Sequence, residues 1–560
     1  MTLLRCFCFF ILFFHGSVFA AEKYALVLDG EKGAVATVNP IATQAAVNAF
    51  AKGGNAIDAA LAAAFTLGVV DSHNSGIGGG CFILVRWADG RVQAIDGREM
   101  APAKAHRDMY LRDGKLDKSL SKTGALAAGV PGSVGAYYHL QRRGGKLTWA
   151  DVILPAADIA ERGFAIDATL ANRLSRTQQS LQKFPASAAI FLNDKGQPWP
   201  VGHRLQQKDL AKTYRKLAIV GPAYFYGGEF AQAAQKWMRA NGGLITVEDF
   251  ANYQVKIREP LVSEYRGYTI YGFPPPSSGG VHVAQILNIL EHFRLTDLNQ
   301  ADRYHVIGEA MKLAFADRAF WLGDADFVGV PTLGLISESY ARRLAEKIQM
   351  DKTLTGVSHG NPVSMEELLS KHTTHVATAD AEGNWVAITT TLNTSFGSKV
   401  TVPGTGVLLN NQMDDFASQP GVPNAYGLVG AEANSIQPGK RPLSSMSPTI
   451  VTDSSGKPVM TVGAAGGPTI ITQVLQTLVY ALAFDKPLEE AVASLRVHHQ
   501  WKPAELFVEN VMPEAVRQAL QKKGHQLRVS GPFGATQAIS VQDGRFHAVT
   551  EPRLRERNEL

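Results

Sequence analysis

Cysteine is nearly missing from this chain of 560 residues: there are three, Cys6, Cys8 and Cys81. Two of them fall in a stretch built like an export leader, with Arg5 as its positive end, an apolar run from Cys6 to Phe14, and the small-residue cleavage pattern Val18-Phe19-Ala20. Removal of residues 1–20 near Ala20 leaves Cys81 alone, which excludes an intrachain disulfide in spite of export. Cys81 opens the run Phe82-Ile83-Leu84-Val85, so it reads as a packing residue and not as a nucleophile. No lipidation cysteine follows the cleavage site. Beyond the leader, no run approaches ~18 consecutive apolar residues, so no membrane span is expected and the mature chain is periplasmic or secreted.

Charge of one sign is scarce too. Fifty-five Lys and Arg against 50 Asp and Glu give a net +5, without basic stripes or interleaved aromatics, so no nucleic-acid partner is expected. Familiar nucleotide and hydrolase signatures are also lacking. Ser75-Gly76-Ile77-Gly78-Gly79-Gly80 has no Gly-Lys-Ser/Thr ending, and its glycines read as sites where backbone approaches backbone beneath a site. Gly132-Ser133-Val134-Gly135 misses the G-x-S-x-G spacing of an α/β-hydrolase. Ser119-Leu120-Ser121-Lys122 and Lys122-Thr123-Gly124 match β-lactamase fragments, but they share one lysine and no Ser-Asp-Asn occurs.

What is present is a globular composition, 45% hydrophobic and 19% charged. Ile41 to Lys52 and Ile57 to Val70 read as helices, the second capped by Asn55; Phe82–Arg86 and Arg91–Ile95 read as a hairpin. Residues 145–350 read as mostly helical, as in Phe230–Met238 and Ala301–Leu322. Pro274-Pro275-Pro276-Ser277-Ser278-Gly279-Gly280 is a stiff turn with serines at the cap of the helix that follows. The last third changes to short β pairs, with helices at Ile470–Phe484 and Pro513–Lys523, which indicates sheets covered by helices and not a βαβ series.

One junction stands out. Ser364-Met365-Glu366-Glu367 opens a helix that ends near Lys371-His372-Thr373-Thr374-His375. The runs His375–Asp380 and Trp385–Leu392 then alternate about a turn at Ala381–Asn384. By itself this is a helix-to-strand loop. A threonine freed at a new amino terminus would nonetheless carry its own base, because an α-amino group titrates at about 7.7–8.0. Three polar runs lie at strand ends, where sites are built on sheet scaffolds: Asn410–Phe416, Pro442–Pro448 and Ala464–Pro468. Backbone N–H groups at Gly466-Gly467 would suit an oxyanion hole.

Together these stretches resemble the gamma-glutamyltranspeptidase family. The resemblance rests on Ser75–Gly80, Gly97–Pro102, Gly129–Gly132, Pro274–Gly280, Thr373–His375, Thr391–Gly397, Leu408–Phe416, Lys440–Pro448 and Gly463–Gly467, in that order. It implies an α+β fold, the four-layer αββα sandwich of N-terminal-nucleophile hydrolases. It also implies a precursor that cuts itself between His372 and Thr373, giving a large subunit of residues 21–372 and a small subunit of residues 373–560 that stay together as a heterodimer in one sandwich. Thr373 would be the nucleophile and Thr391 its orienting partner. Arg98, Ser444 and Ser445 would grip the α-carboxylate of a glutamyl donor such as glutathione, and Asp415, Asn393 and Gln412 its ammonium. Gly466 and Gly467 would form the oxyanion hole, and Tyr426 would sit in a lid at Pro420–Gly430. Acceptors would be water, amino acids or dipeptides. No metal or organic cofactor is expected, since His372/His375 and His498-His499 lack companion ligands. Gly97 stands where the family often has an aromatic residue, which predicts looser packing beside Arg98. The alternatives are a cephalosporin (glutaryl) acylase of the same fold and a catalytically inactive exported binding protein.

Overall fold

The computed structural model describes residues 23–362 and 374–554. The expected leader, the expected helix start at Ser364–Glu367, and His372 and Thr373 lie outside the described residues. In chain order the principal strands are β1 (Ala25–Val27), β2 (Gly33–Ala36), β3 (Gly80–Arg86), β4 (Val92–Gly97), β5 (Lys256–Arg258), β6 (Leu261–Tyr265) and β7 (Tyr268–Gly272). They continue with β8 (His375–Asp380), β9 (Trp385–Thr391), β10 (Thr449–Thr452), β11 (Pro458–Ala464), β12 (Thr536–Gln542) and β13 (Arg545–Thr550). One sheet runs β1-β2-β8-β9-β3-β4-β5 and the other β6-β7-β10-β11-β12-β13. Every neighbouring pair in both is antiparallel.

The period of two along a strand decides the layers. In β3, Phe82 and Leu84 enter the core between the sheets, whereas Cys81, Ile83 and Val85 face a helical layer. The inter-sheet core is rich in alanine, with Ala34, Ala36, Ala94, Ala377, Ala379 and Ala387. Such small side chains let the sheets approach closely. Phe82 and Phe273 fill its centre, stacked at 4.1 Å between centroids. Helices Pro40–Ala51, Ala56–Val70 and Trp149–Arg162 cover the first sheet; Ser278–Leu290, Gln300–Trp321 and Thr469–Leu478 cover the second. The result is the expected αββα sandwich. No helix among the described residues is long and apolar enough to cross a membrane.

The expected helix starts hold. Asn55 accepts from the N–H groups of Ile57 and Asp58, and the Asp58 carboxylate accepts from Asn55 N at 2.9 Å; such a cap contributes about 1 kcal/mol. Ser277 caps Ser278–Leu290 by accepting from Gly279 N at 2.9 Å. The stretch 145–350 is less uniformly helical than its composition indicated, because β5–β7 interrupt it. Their hairpin turns at Arg266-Gly267, with φ of 52° and 83°, the left-handed pair a tight β-turn requires. An arginine in that position hides the signal that Asn or Asp would give.

Candidate active site

β8 and β9 bring Thr374 and His375 to the middle of the first sheet. Their ladder sets His375 against Thr389, and Thr374 and Thr390 exchange backbone hydrogen bonds. Thr391 ends β9, and its Oγ1 accepts from the Asn393 N–H at 2.8 Å. The glycines of Ser75–Gly80 lie directly beneath. A Cβ on Gly79 would stand 1.9 Å from Thr391 O, and one on Gly78 would stand 2.1 Å from Leu408 O, so no larger residue fits either place. Asn410 fastens this floor to the next wall: its Nδ2 donates to Gly78 O and Gly129 O at 2.9 Å, and its Oδ1 accepts from Gly129 N and Gln412 N.

Against Thr374 stands a buried acid that the sequence reading missed. Thr374 Oγ1 donates to Asp71 Oδ2 at 3.3 Å, and Asn74 Nδ2 donates to Asp71 Oδ1 at 2.9 Å. Burial pushes the Asp71 carboxyl up to about 7, although the hydrogen bonds from Asn74 and Thr374 pull it down. His73, 3.4 Å from Asp71, is held neutral: burial brings its imidazole down to about 3. The available signal was a polar run, Asp71 to Asn74, immediately after a helix buried on every face.

The expected substrate-binding residues converge a few residues away. Arg98 Nη2 donates to Asp415 Oδ2 at 2.7 Å, Nε donates to Pro442 O, and Nη1 lies 3.4 Å from Glu99 Oε2. Gln412 Nε2 also donates to Asp415 Oδ2, at 3.1 Å. Arg98 and its partners Glu99 and Asp415 have no side-chain exposure. Burial pushes Asp415 up to about 7 and Glu99 up to about 8, in both cases against the pull of Arg98. A second guanidinium completes the pocket: burial lowers Arg318 to about 9, while nearby Asp415 opposes the shift. Its Nε donates to Ser278 Oγ, which in turn donates to Ser444 O. The rigid Pro274–Gly280 turn thus serves as the wall that seats Ser444 and Ser445.

Several polar atoms here are buried without a hydrogen-bond partner among the described residues: Glu99 Oε1, Arg318 Nη2, Asn393 Oδ1, Gln412 Oε1, Asp415 Oδ1 and Ser445 Oγ. Unpaired buried polar groups are costly, on the order of 1–3 kcal/mol each, so their concentration at one place marks a receptor for a polar ligand. Opposite charges only a few ångströms apart suit a ligand carrying both an anion and a cation. Arg318 and Glu99 were not anticipated. Glu99 was legible as the neighbour of Arg98, whereas Arg318 sits on a helix buried nearly all round, where no face is marked out.

Gly466 and Gly467 follow β11 and open the helix Thr469–Leu478, with φ of 132° and 60°. Among the described residues neither N–H has an acceptor. Tyr426 closes over them. Its Oη donates to Asn393 O at 2.7 Å, and a Cβ on Gly467 would touch its ring at 2.8 Å. Asp414 holds that lid by accepting from Ala425 N and from Ser121 Oγ, which gives the β-lactamase-like serine a structural use. Beside Tyr426 a cavity of about 570 Å³ is lined by Thr374, Asn393, Gly466 and Gly467 together with Asp71, Asp167 and Arg173.

One expectation needs adjustment. The packing at Gly97 is not loose: a Cβ there would come within 2.6 Å of Ala136 Cβ and 3.0 Å of Cys81 Sγ, so those neighbours already fill the space. Cys81 is buried, and burial pushes its thiol up, so it stays protonated and inert. Among the described residues the side chains His305, Glu309 and His525 approach one another closely enough to hold a metal, a grouping that spacing did not reveal. It does not suit one. Lys312 Nζ already supplies the cation at 2.7 Å from Glu309 Oε1, Thr353 and Leu354 donate to the same carboxylate, and the His305 ring is bonded to the His525 ring on one side and to Gln349 O on the other.

A family model described as Gamma-glutamyltranspeptidase matches residues 42–559. The chain belongs to the gamma-glutamyltranspeptidase family. Among curated relatives, a glutathione hydrolase proenzyme of Escherichia coli (strain K12) is 43% identical over 528 residues, covering 93% of this chain and 90% of that protein. Among solved structures, a cephalosporin acylase from Bacillus halodurans matches with a TM-score of 0.85 at 30% identity, covering 93% of this chain and 94% of that one. A gamma-glutamyltranspeptidase chain from Helicobacter pylori matches at 39% identity with a TM-score of 0.56, covering 59% of this chain and 94% of that one. Membership makes this gamma-glutamyltranspeptidase-family chain an enzyme of the N-terminal-nucleophile hydrolase fold.

Proposed function

We propose that the chain is an exported precursor that cuts itself between His372 and Thr373 and then acts as a γ-glutamyltransferase and glutathione hydrolase. The cut yields subunits of residues 21–372 and 373–560, and the product works in the periplasm or as a secreted enzyme. Freed at the new terminus, the Thr373 α-amino group takes the proton as Thr373 Oγ1 attacks the γ-amide carbonyl. The C–O ester bond forms, the C–N bond breaks, and the leaving amine carries the proton away. Water or an acceptor amine then displaces the threonine oxygen, which recovers its proton. Gly466 and Gly467 stabilise the oxyanion in each half, and Thr391 orients the nucleophile.

The observation that carries this reading is the buried pairing of Arg98 with Asp415, whose Oδ1 is left without a partner among the described residues. A glutamyl head group presents a carboxylate and an ammonium on one carbon. Arg98, with Ser444 and Ser445, matches the carboxylate as a planar fork, and Asp415, with Asn393 and Gln412, matches the ammonium. The same observation disfavours a glutaryl acylase, whose substrate has no ammonium to offer Asp415 Oδ1. An inactive binding protein would have no use for two uncommitted N–H groups at Gly466 and Gly467 in the cavity that Thr374 also lines.

A denaturing gel and amino-terminal sequencing of the smaller band test the proposal, together with chromophore release from γ-glutamyl p-nitroanilide. Two bands, the smaller beginning at Thr373, and release of nitroaniline are expected. Thr373→Ala is expected to abolish both cutting and turnover. An uncut chain without turnover would sink the reading, and a Thr373→Ala chain that still splits at this bond would overturn the nucleophile assignment.

A further inference from the structure

Donor recognition leaves half of the site unexplained. The glutamyl pocket is sealed: Arg98, Gln412, Ser444 and Ser445 have no measurable exposure, and Tyr426 lies across its mouth. None of these four residues lines the outer cavity, whereas Asn393, Gly466 and Gly467 do. A scissile amide at the glycines therefore points its glutamyl side inward and its amine side into about 570 Å³ of outer space, ample for a dipeptide. Aminolysis of the ester is the reverse of acylation by an amide, so leaving group and acceptor amine occupy that same space.

The charges on the cavity wall are few. Asp71 and Asp167 are acidic, and Arg173 is the sole Arg or Lys among the described lining residues. Arg173 is carried by the helix Ala168–Leu181, which Asp167 caps by accepting from Leu170 N at 2.7 Å. Half-buried, Arg173 makes no ion pair or side-chain hydrogen bond among the described residues, unlike the committed arginines Arg98, Arg258, Arg441 and Arg496. It lines the same cavity as Asp71, His73, Thr374, Tyr426, Gly466 and Gly467, and its charge is felt at Asp71, His73 and Tyr426.

Resting on the glutamyl reading, in which the outer cavity receives the leaving peptide and the acceptor, we propose that Arg173 selects those ending in a free carboxylate. The two neighbouring aspartates would repel a carboxylate that lacked this partner, so the arginine sets the sign of what the cavity accepts. Simple amines without a carboxylate gain nothing from it.

The test uses the processed enzyme and three donors: glutathione, glutathione with its glycine carboxylate converted to the amide, and γ-glutamyl p-nitroanilide. In Arg173→Ala, KM for glutathione is expected to rise about tenfold, the loss of one charge-assisted hydrogen bond at a half-exposed site. The amide and the anilide should shift less than twofold. Arg173→Glu should raise the glutathione KM further, and Arg173→Lys should recover part of the loss. Both anilide kinetics and two-band processing report an intact fold. Equal shifts for glutathione and its amide, or no shift for either while the anilide turns over, would overturn the assignment alone. Failure of the wild-type enzyme to release nitroaniline would overturn the glutamyl reading and this assignment with it.

Discussion

Asp415→Asn separates the ammonium-binding role proposed for Asp415 from a merely structural one. The carboxylate accepts from Arg98 Nη2 at 2.7 Å and from Gln412 Nε2 at 3.1 Å through Oδ2, leaving Oδ1 for the donor's ammonium. Asparagine keeps the shape and can still accept from Arg98. It loses the charge, and its NH₂ group faces the ammonium as a donor facing a donor. Loss of a fully buried charge-assisted bond costs about 2–5 kcal/mol when the partner charge stays buried. Part of that is recovered here, because the Asp415 charge is one of the causes holding Glu99 protonated, and its removal lets Glu99 ionise more readily. A net cost of about 3 kcal/mol corresponds to a fall of roughly 10²-fold in kcat/KM for γ-glutamyl p-nitroanilide. The control is glutaryl p-nitroanilide, which lacks the ammonium and should lose little or gain. The assay compares kcat/KM for the two donors in wild type and variant, with two-band processing as the check on folding. An equal fall for both donors would refute the ammonium role, because a general disturbance of the pocket does not discriminate between them.

Arg98→Lys should raise KM for the γ-glutamyl donor at least tenfold with a smaller change in kcat, since a point charge replaces a bidentate fork; steady-state kinetics with an unchanged KM would contradict the assigned role. The pH dependence should show one more ionisation in kcat/KM than in kcat. Burial holds free Asp415 at about 7, and it must be ionised to accept the ammonium, so kcat/KM rises through that pH; once bound, the ammonium keeps it ionised and kcat reports the Thr373 amine. Profiles of identical shape from about pH 5 to about pH 8 would exclude Asp415 as that group. Gly79→Ala should abolish processing and lower the thermal midpoint by several degrees, because its Cβ would meet Thr391 O at 1.9 Å and backbone cannot step aside cheaply. A variant that splits and melts like wild type would show that the floor is not tight.

What the sequence made legible was local or short-ranged in kind. Alternation marked β8 and β9, Asn55 and Ser277 marked helix starts, and polar runs at strand ends held most of the pocket. The unreadable parts depend on distant pairing and on burial of charge. No local pattern says that β8 and β9 insert between β2 and β3, more than 280 residues earlier in the chain. Likewise Asp71 and Arg318 look like ordinary surface charges in sequence; only the packed sandwich removes them from water. Gly97 shows the converse error. An absent side chain implied a gap, but Ala136 and Cys81 occupy the volume.

The insertion of β8 and β9 also explains how a chain could lose a peptide bond in its middle and keep its fold. The first sheet alternates its sources: β1 and β2, then β8 and β9 from beyond the junction, then β3, β4 and β5. The second takes β6 and β7 from before the junction and β10 to β13 from after it. The ladders β2–β8, β9–β3 and β7–β10 therefore cross the proposed cut, and so do the buried ion pairs Arg98–Asp415 and Arg441–Asp96. Separating the two parts would open both sheets and strand buried charges, a cost far above that of one hydrolysed bond. The site is divided along the same line. Asp71, Arg98, Glu99 and Arg318 stand on one side, and Thr391, Asn393, Asp415, Ser444, Ser445, Gly466 and Gly467 on the other. Neither part holds the proposed glutamyl pocket alone, so the interface that would survive the proposed cut is the same structure that forms that pocket.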